Sequence, residues 1–240
     1  MLIKRSKTRR RYRKKQSGGK SMNVAIFFSG RIQGYDKVIN NLKALINKYN
    51  MTVYCSLNEP IDNIYLDKFC RELNIESKNI NIEKTIVPPE LNTFSWAPGT
   101  KYENIYSMFY HMNKAFSLIE RDMSYKHYDC VLYYRADINS SDTLYLEYPK
   151  ENTIYIPNDR NYSGINDRMA YGNFVSMKQY CSLINALRDM CQYLRNITPE
   201  KLLREYLHII KVNVVRFNYS TALENSRNQK CLNDKDACNL

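Results

Sequence analysis

No stretch of this chain stays apolar for long. The run that follows its basic N-terminus, Val24 to Phe28, has five residues. A secretory h-region needs roughly 7–15 apolar residues and a spanning helix about 20. The sequence is therefore expected to carry neither a secretory leader nor a transmembrane span. No CxxC pair occurs, and His111, His127 and His208 are scattered singly, which argues against a zinc site. No G-x-G-x-x-G or Walker pattern is present, so a dinucleotide site or a P-loop has no support. The seven cysteines (55, 70, 130, 181, 191, 231 and 238) are odd in number and form no regular framework. That pattern, without a secretory signal, predicts reduced thiols in a cytosol-like, cytoplasmic compartment. Neither an internal repeat nor a linker interrupts residues 21–220.

What is present is mostly ordinary for a folded protein. The chain has 240 residues, 44% of them hydrophobic and 25% charged, enough for one α/β domain with a substantial core. The net charge of +12 is unevenly spread. Residues 1–20 hold ten Lys or Arg and no acid, which leaves 26 basic against 24 acidic groups in the rest. The body is nearly neutral. The basic arm cannot bury anything and is expected to be disordered, as is a polar C-terminal tail over residues 226–240. An arm of this kind suits an anionic partner, either nucleic acid or a membrane surface, or simply remains solvated.

Between the tails the pattern alternates. Asn23–Phe28 is a continuous apolar strand ended by Ser29-Gly30. Val38, Ile39, Leu42, Leu45 and Ile46 then define one face of a helix. Met51–Cys55 reads as a strand, Ile64–Leu73 as a helix and Asn79–Glu83 as a strand. Pro88-Pro89 and the turn around Trp96 interrupt the rhythm before a long helix from Tyr102 to Arg121. Strands follow at Cys130–Tyr134 and Thr153–Ile156, and a helical pattern runs from Ser176 to Tyr193. Thr198 before Pro199 and Glu200 marks the start of another helix. Val212–Phe217 is a late strand. Alternating strands and helices predict a mainly parallel sheet flanked by helices, in a single Rossmann-like α/β domain over residues 21–225.

Two polar clusters stand out. The first ends the strand in His127-Tyr-Asp-Cys-Val-Leu-Tyr-Tyr-Arg-Ala-Asp-Ile-Asn139. In open α/β sheets the ligand crevice lies outside the carboxyl ends of the strands. A carboxylate delivered there is placed to hold a divalent cation against a phosphate; taken alone, it also fits an acidic strand end facing water. The second cluster is Gly164-Ile-Asn-Asp-Arg-Met-Ala-Tyr-Gly172.

The order of Val24-Ala-Ile-Phe-Phe-Ser-Gly-Arg31, a long helix and these two clusters resembles nucleotide-sugar glycosyltransferases of the GT-A fold. It is most similar to the small polysaccharide-type transferases of bacteria and large DNA viruses. The resemblance covers roughly Asn23 to Phe217 and rests on short motifs. It implies a nucleotide site at Ser29, Gly30 and Arg31, and a DxD-type motif holding Mn²⁺ or Mg²⁺ against the donor diphosphate. Here that motif reads Arg135-Ala-Asp137. Either Asp137 alone holds the metal, or the Arg135 guanidinium replaces part of its charge.

The chemistry fits the residue types. Charge develops on the departing diphosphate and must be neutralised. An inverting reaction also needs a carboxylate to deprotonate the acceptor hydroxyl. Asp167 is the candidate base, with Asn166 for sugar hydroxyls and Gly164 to allow close backbone approach. An Asx turn or helix cap is the plainer account of Asp167. His208 suits a structural place on a helix better than a late metal ligand, and Trp96 either stacks on a ligand or anchors its loop. Three classes follow: a metal-assisted transferase acting on a glycan or protein acceptor, an inactive relative that binds sugar or nucleotide, and a nucleic-acid-associated protein acting through its arm.

Overall fold

A computed structural model describes residues 22–223. The expected basic arm (1–20) and C-terminal tail (226–240) lie outside the described residues, as do Cys231 and Cys238.

Strand β1 (Val24–Gly30) is the buried apolar run, extended through Ser29 and Gly30. Helix α1 (Tyr35–Tyr49) buries Tyr35, Val38, Leu42, Leu45 and Ile46 on one face and ends on Asn50 in the left-handed region, φ 48°. Strand β2 (Thr52–Asn58) runs three residues past its sequence expectation, because Ser56, Leu57 and Asn58 continue to pair with β1 and β3. Helix α2 (Asn63–Glu72) is capped by the Asp62 carboxylate, which accepts from the Tyr65 amide. Strand β3 (Ile80–Glu83) follows. Helix α3 (Tyr102–Asp122) buries Ile105, Phe109, Met112, Ala115, Phe116 and Ile119.

Strand β4 (Cys130–Tyr134) is buried along its whole length, and β5 (Thr153–Pro157) likewise. Strand β6 (Met169–Gly172) lies inside the second polar cluster, which the sequence presents as a loop. Four residues containing Ala and Gly are too few to show a period.

Residues 174–193 form two helices, α4 (Phe174–Cys181) and α5 (Leu183–Tyr193), rather than one. The break has a local cause. Ser182 Oγ donates to the Lys178 carbonyl at 2.7 Å, and Asn113 Nδ2 takes the Cys181 carbonyl at 3.1 Å. Both compete with the helical ladder. Helix α6 (Pro199–Ile209) starts as expected, with Thr198 Oγ1 accepting from the Lys201 amide at 3.2 Å. Strand β7 (Asn213–Phe217) completes the set.

The seven strands form one sheet in the order β3-β2-β1-β4-β6-β5-β7. Every neighbouring pair is parallel except β4·β6 and β5·β6, where β6 runs antiparallel. Side chains alternate between the two faces, as the pleat requires. Phe27, Val131, Tyr133 and Ala170 pack under α3, α4 and α5. Ile26, Phe28, Leu132 and Tyr134 pack on the opposite face with residues of α1 and α2.

Candidate functional site

The sheet order places the crevice. From β1 the chain moves outward through β2 and β3, then crosses back to lay β4 on the other side of β1. The strand order reverses at the β1–β4 boundary, which is where open α/β sheets bind ligands, beyond the carboxyl ends. In register, Phe27 lies opposite Tyr133. Two residues further on, Ser29 and Arg135 leave adjacent strands at the same edge. Gly30 takes φ 79°, a left-handed conformation that favours glycine, and turns the chain out to Arg31. The Arg31 side chain is exposed, and its Nη2 donates to Asn104 Oδ1 in the first turn of α3 at 3.3 Å.

Arg135 and Asp137 face each other in a two-bond fork. Arg135 Nε donates to Asp137 Oδ1 at 3.1 Å and Nη2 donates to Oδ2 at 3.0 Å. The Arg135 side chain is 32% exposed and that of Asp137 13%. Burial works against the guanidinium charge, but the Asp137 carboxylate more than offsets it and holds the Arg135 pKa above its ordinary value.

Antiparallel β6 brings the second cluster to the same edge. The Arg135 amide donates to the Arg168 carbonyl at 3.0 Å, so residues entering β6 lie beside residues leaving β4. Asp167 is 4% exposed. Burial raises its pKa above the ordinary aspartate value; the charges of Arg135 and Arg168 oppose the rise and that of Asp137 adds to it. Glu200, in the first turn of α6 and 8% exposed, is pushed up to about 7 by burial and then by the charge of Asp167.

Asn166 has a different task from the one expected. It is fully buried, and its Nδ2 donates to the Asp159 carbonyl (3.0 Å), Asp159 Oδ1 (2.8 Å) and Thr221 Oγ1 (2.7 Å). Its Oδ1 accepts from the Arg168 amide at 2.8 Å. Its amide donors are all engaged within the protein; Asn166 fixes the loop that delivers Asp167 and Arg168. Thr221 extends this network, with its amide on Asp159 Oδ2 at 2.7 Å and its carbonyl accepting from Arg168 Nη1 at 2.8 Å.

Gly164 permits a close approach, but of protein rather than ligand. A Cβ there would lie 2.0 Å from the Glu200 carbonyl oxygen, and the Ile165 amide donates to that same oxygen at 3.1 Å. Gly172 ends β6 and does not border a loop.

The Ser29, Tyr133 and Tyr180 hydroxyls are buried together on the α3 side of the sheet, and the Tyr133 hydroxyl feels that of Ser29. Tyr133 and Tyr180 have ring centroids 6.3 Å apart, and both hydroxyls feel the charge of Asp167.

The residues present do not fit a divalent cation held by protein ligands. Both Asp137 oxygens are engaged by Arg135, and a cation there would sit against a permanent positive charge. Among the described residues no group of three His, Cys, Asp or Glu gathers to hold a metal. His208 is exposed on α6. Trp96 anchors its loop: Nε1 donates to the Leu91 carbonyl at 2.6 Å and the ring stacks on Tyr102. Glu200, Arg168, Asp159 and Thr221 were not singled out as site residues in the sequence. Only the adjacency of Arg168 to Asp167 hinted at any of them.

The single α/β domain, with its strand order reversing between β1 and β4, has a GT-A-like fold. The galactosyltransferase LgtC, solved with donor and acceptor sugar analogues, is similar over 81% of this chain and 73% of its own, with TM-score 0.50 and 11% identity. The glycosyltransferase GlyE of Streptococcus pneumoniae TIGR4 matches at TM-score 0.45 and 11% identity. This chain covers 81% of its own length in that match but spans only 45% of GlyE. A glycosyltransferase involved in glycosylation of the major capsid of PBCV-1 matches at TM-score 0.41 and 9% identity, over 82% of this chain and 81% of that one. No protein-family profile and no curated protein sequence matches. Among the described residues no helix is long and apolar enough to cross a membrane.

Proposed function

We propose that this chain is a glycosyltransferase that moves a sugar from a nucleoside-diphosphate donor to a hydroxyl of a glycan or protein acceptor. The reading is carried by one observation: in a GT-A-like sheet, the β1 turn at Ser29–Arg31 and the β4 end at Arg135 meet at the switch point. Ser29, Gly30 and Arg31 line the nucleotide. The acceptor oxygen bonds to the anomeric carbon as the bond from that carbon to the phosphate oxygen breaks. The electron pair leaves with the diphosphate, and Arg135 faces that developing charge, with Arg168 beside it. The acceptor proton passes to Asp167, whose burial raises its pKa and so its readiness to take up a proton.

A sugar- or nucleotide-binding module without turnover is the second reading, favoured by the depth at which Asp167 is buried. Thermal-shift titration with UDP-, GDP- and dTDP-sugars, with and without Mn²⁺ or Mg²⁺, tests binding, since a ligand of the folded state raises its apparent stability. At least one donor is expected to raise the melting temperature, and a flat response to all of them sinks both readings. With that donor, Asp167→Asn should leave binding nearly intact while transfer falls by about 10²–10⁴, the loss typical of a general base. Binding without turnover in the unaltered protein selects the module.

A further inference from the structure

We propose that the Arg135 guanidinium, oriented by Asp137, takes the place of a divalent cation, so that the protein binds a nucleoside diphosphate without metal. The inference rests on the transferase reading above and adds how its site handles charge. In the Arg135-Ala-Asp137 triplet the two side chains close on each other through Nε and Nη2, at 3.1 and 3.0 Å. A guanidinium carries five N–H donors in a fixed plane. Two of them hold Asp137, and three remain, including both on Nη1. That free edge belongs to the more exposed partner of the pair, 32% against 13%, so the guanidinium is the group a ligand reaches first. Its planar fork matches the oxygens of a phosphate.

Asp137 is thereby a positioning residue. Its two oxygens are turned toward Arg135, and it fixes the plane in which the remaining donors lie. Arg168 brings a second cation to the same edge, held through Nη1 by the Thr221 carbonyl at 2.8 Å and tied to Arg135 through the backbone bond between them. Ser29, level with Arg135 by continuation of the β1–β4 register, ends β1 at the same edge.

The test uses the full chain and three probes, UDP, GDP and dTDP, titrated by calorimetry in EDTA and again in Mn²⁺. One nucleotide is expected to bind with the same Kd in both conditions. Arg135→Ala should weaken that binding by about 10–100-fold, the loss expected for a charge-assisted hydrogen bond. Arg135→Asp, which sets carboxylates on both sides of Ala136, should bind only when Mn²⁺ is present. Asp137→Asn should weaken binding modestly and leave it indifferent to Mn²⁺. Wild-type binding that disappears in EDTA and returns with Mn²⁺ overturns the proposal while leaving the transferase reading standing; that comparison requires no variant to fold. Failure of all three nucleotides in both conditions overturns the transferase reading, and this inference falls with it.

Discussion

At the scale of single residues, Gly164 shows how tightly the second cluster is built. Its backbone touches the first turn of α6 where a Cβ would meet the Glu200 carbonyl carbon at 2.1 Å and the Lys201 amide nitrogen at 2.4 Å. All three obstructing atoms are backbone, so neither side can move aside cheaply. Gly164→Ala should destabilise the protein by about 1–3 kcal/mol or more, the range for forced overpacking, read as a lower melting temperature. Gly30 offers a contrast: nothing lies within 4 Å of a Cβ there, and only its φ of 79° favours glycine. An unchanged melting temperature for Gly164→Ala would show that the loop is free to move away from α6.

Among the elements, α3 has a device that the sequence does not announce. His111 is fully buried on α3. Its Nδ1 bonds Ser56 Oγ at 2.8 Å at the end of β2, and its Nε2 bonds Thr85 Oγ1 at 2.9 Å beyond β3. Burial lowers its pKa to about 4, with Glu83 opposing and Lys114 adding to the fall. A depressed folded pKa gives stability that is present above the unfolded value of 6.5 and lost as pH falls through about 4. His111→Leu should therefore be less stable than wild type at pH 7, by roughly 1–3 kcal/mol for the polar groups left unpaired. The gap between the two melting temperatures should narrow as pH drops below 6.5. A gap that stays constant down to pH 4 would mean His111 takes up its proton in the folded protein without penalty.

The same scale shows what the sequence makes legible. Strands such as β1 and β4 and the helices α1, α3 and α6 are written in apolar runs, 3.6-residue spacing and a Thr-Pro-Glu start, all local signals. Strand β6 is not, because Met169-Ala-Tyr-Gly172 earns its place by pairing on both edges with β4 and β5. The site divides in the same way. Ser29, Arg135 and Asp137 follow directly from strand ends. The Asn166–Asp159–Thr221 network and the approach of α6 to the Gly164–Asp167 loop depend on residues up to 62 apart, which no local pattern reports.

For the whole molecule, charge and fold separate. The arm over residues 1–20, outside the described residues, holds ten Lys or Arg, while the remainder is nearly neutral. We propose that the arm meets an anionic partner, nucleic acid or a membrane surface, and takes no part in the donor site. Its deletion should abolish salt-sensitive binding to RNA or anionic vesicles and leave the nucleotide Kd unchanged; loss of nucleotide binding on deletion would place the arm at the site. The opposite end of the described chain is bound to the crevice instead. Tyr219 meets Tyr134 hydroxyl to hydroxyl at 2.9 Å, Ala222 accepts from the Asn139 amide at 2.8 Å, and Thr221 closes the network around Asn166. Translation is vectorial, and these are among the last residues of the sheet-bearing region to be synthesised. A growing polypeptide can form β1 to β4 and their helices long before Thr221 has left the ribosome, yet it has no finished crevice until then. On the proposed reading, ligand capture would then follow completion of the body, and unfinished chains would not compete for donor with finished ones.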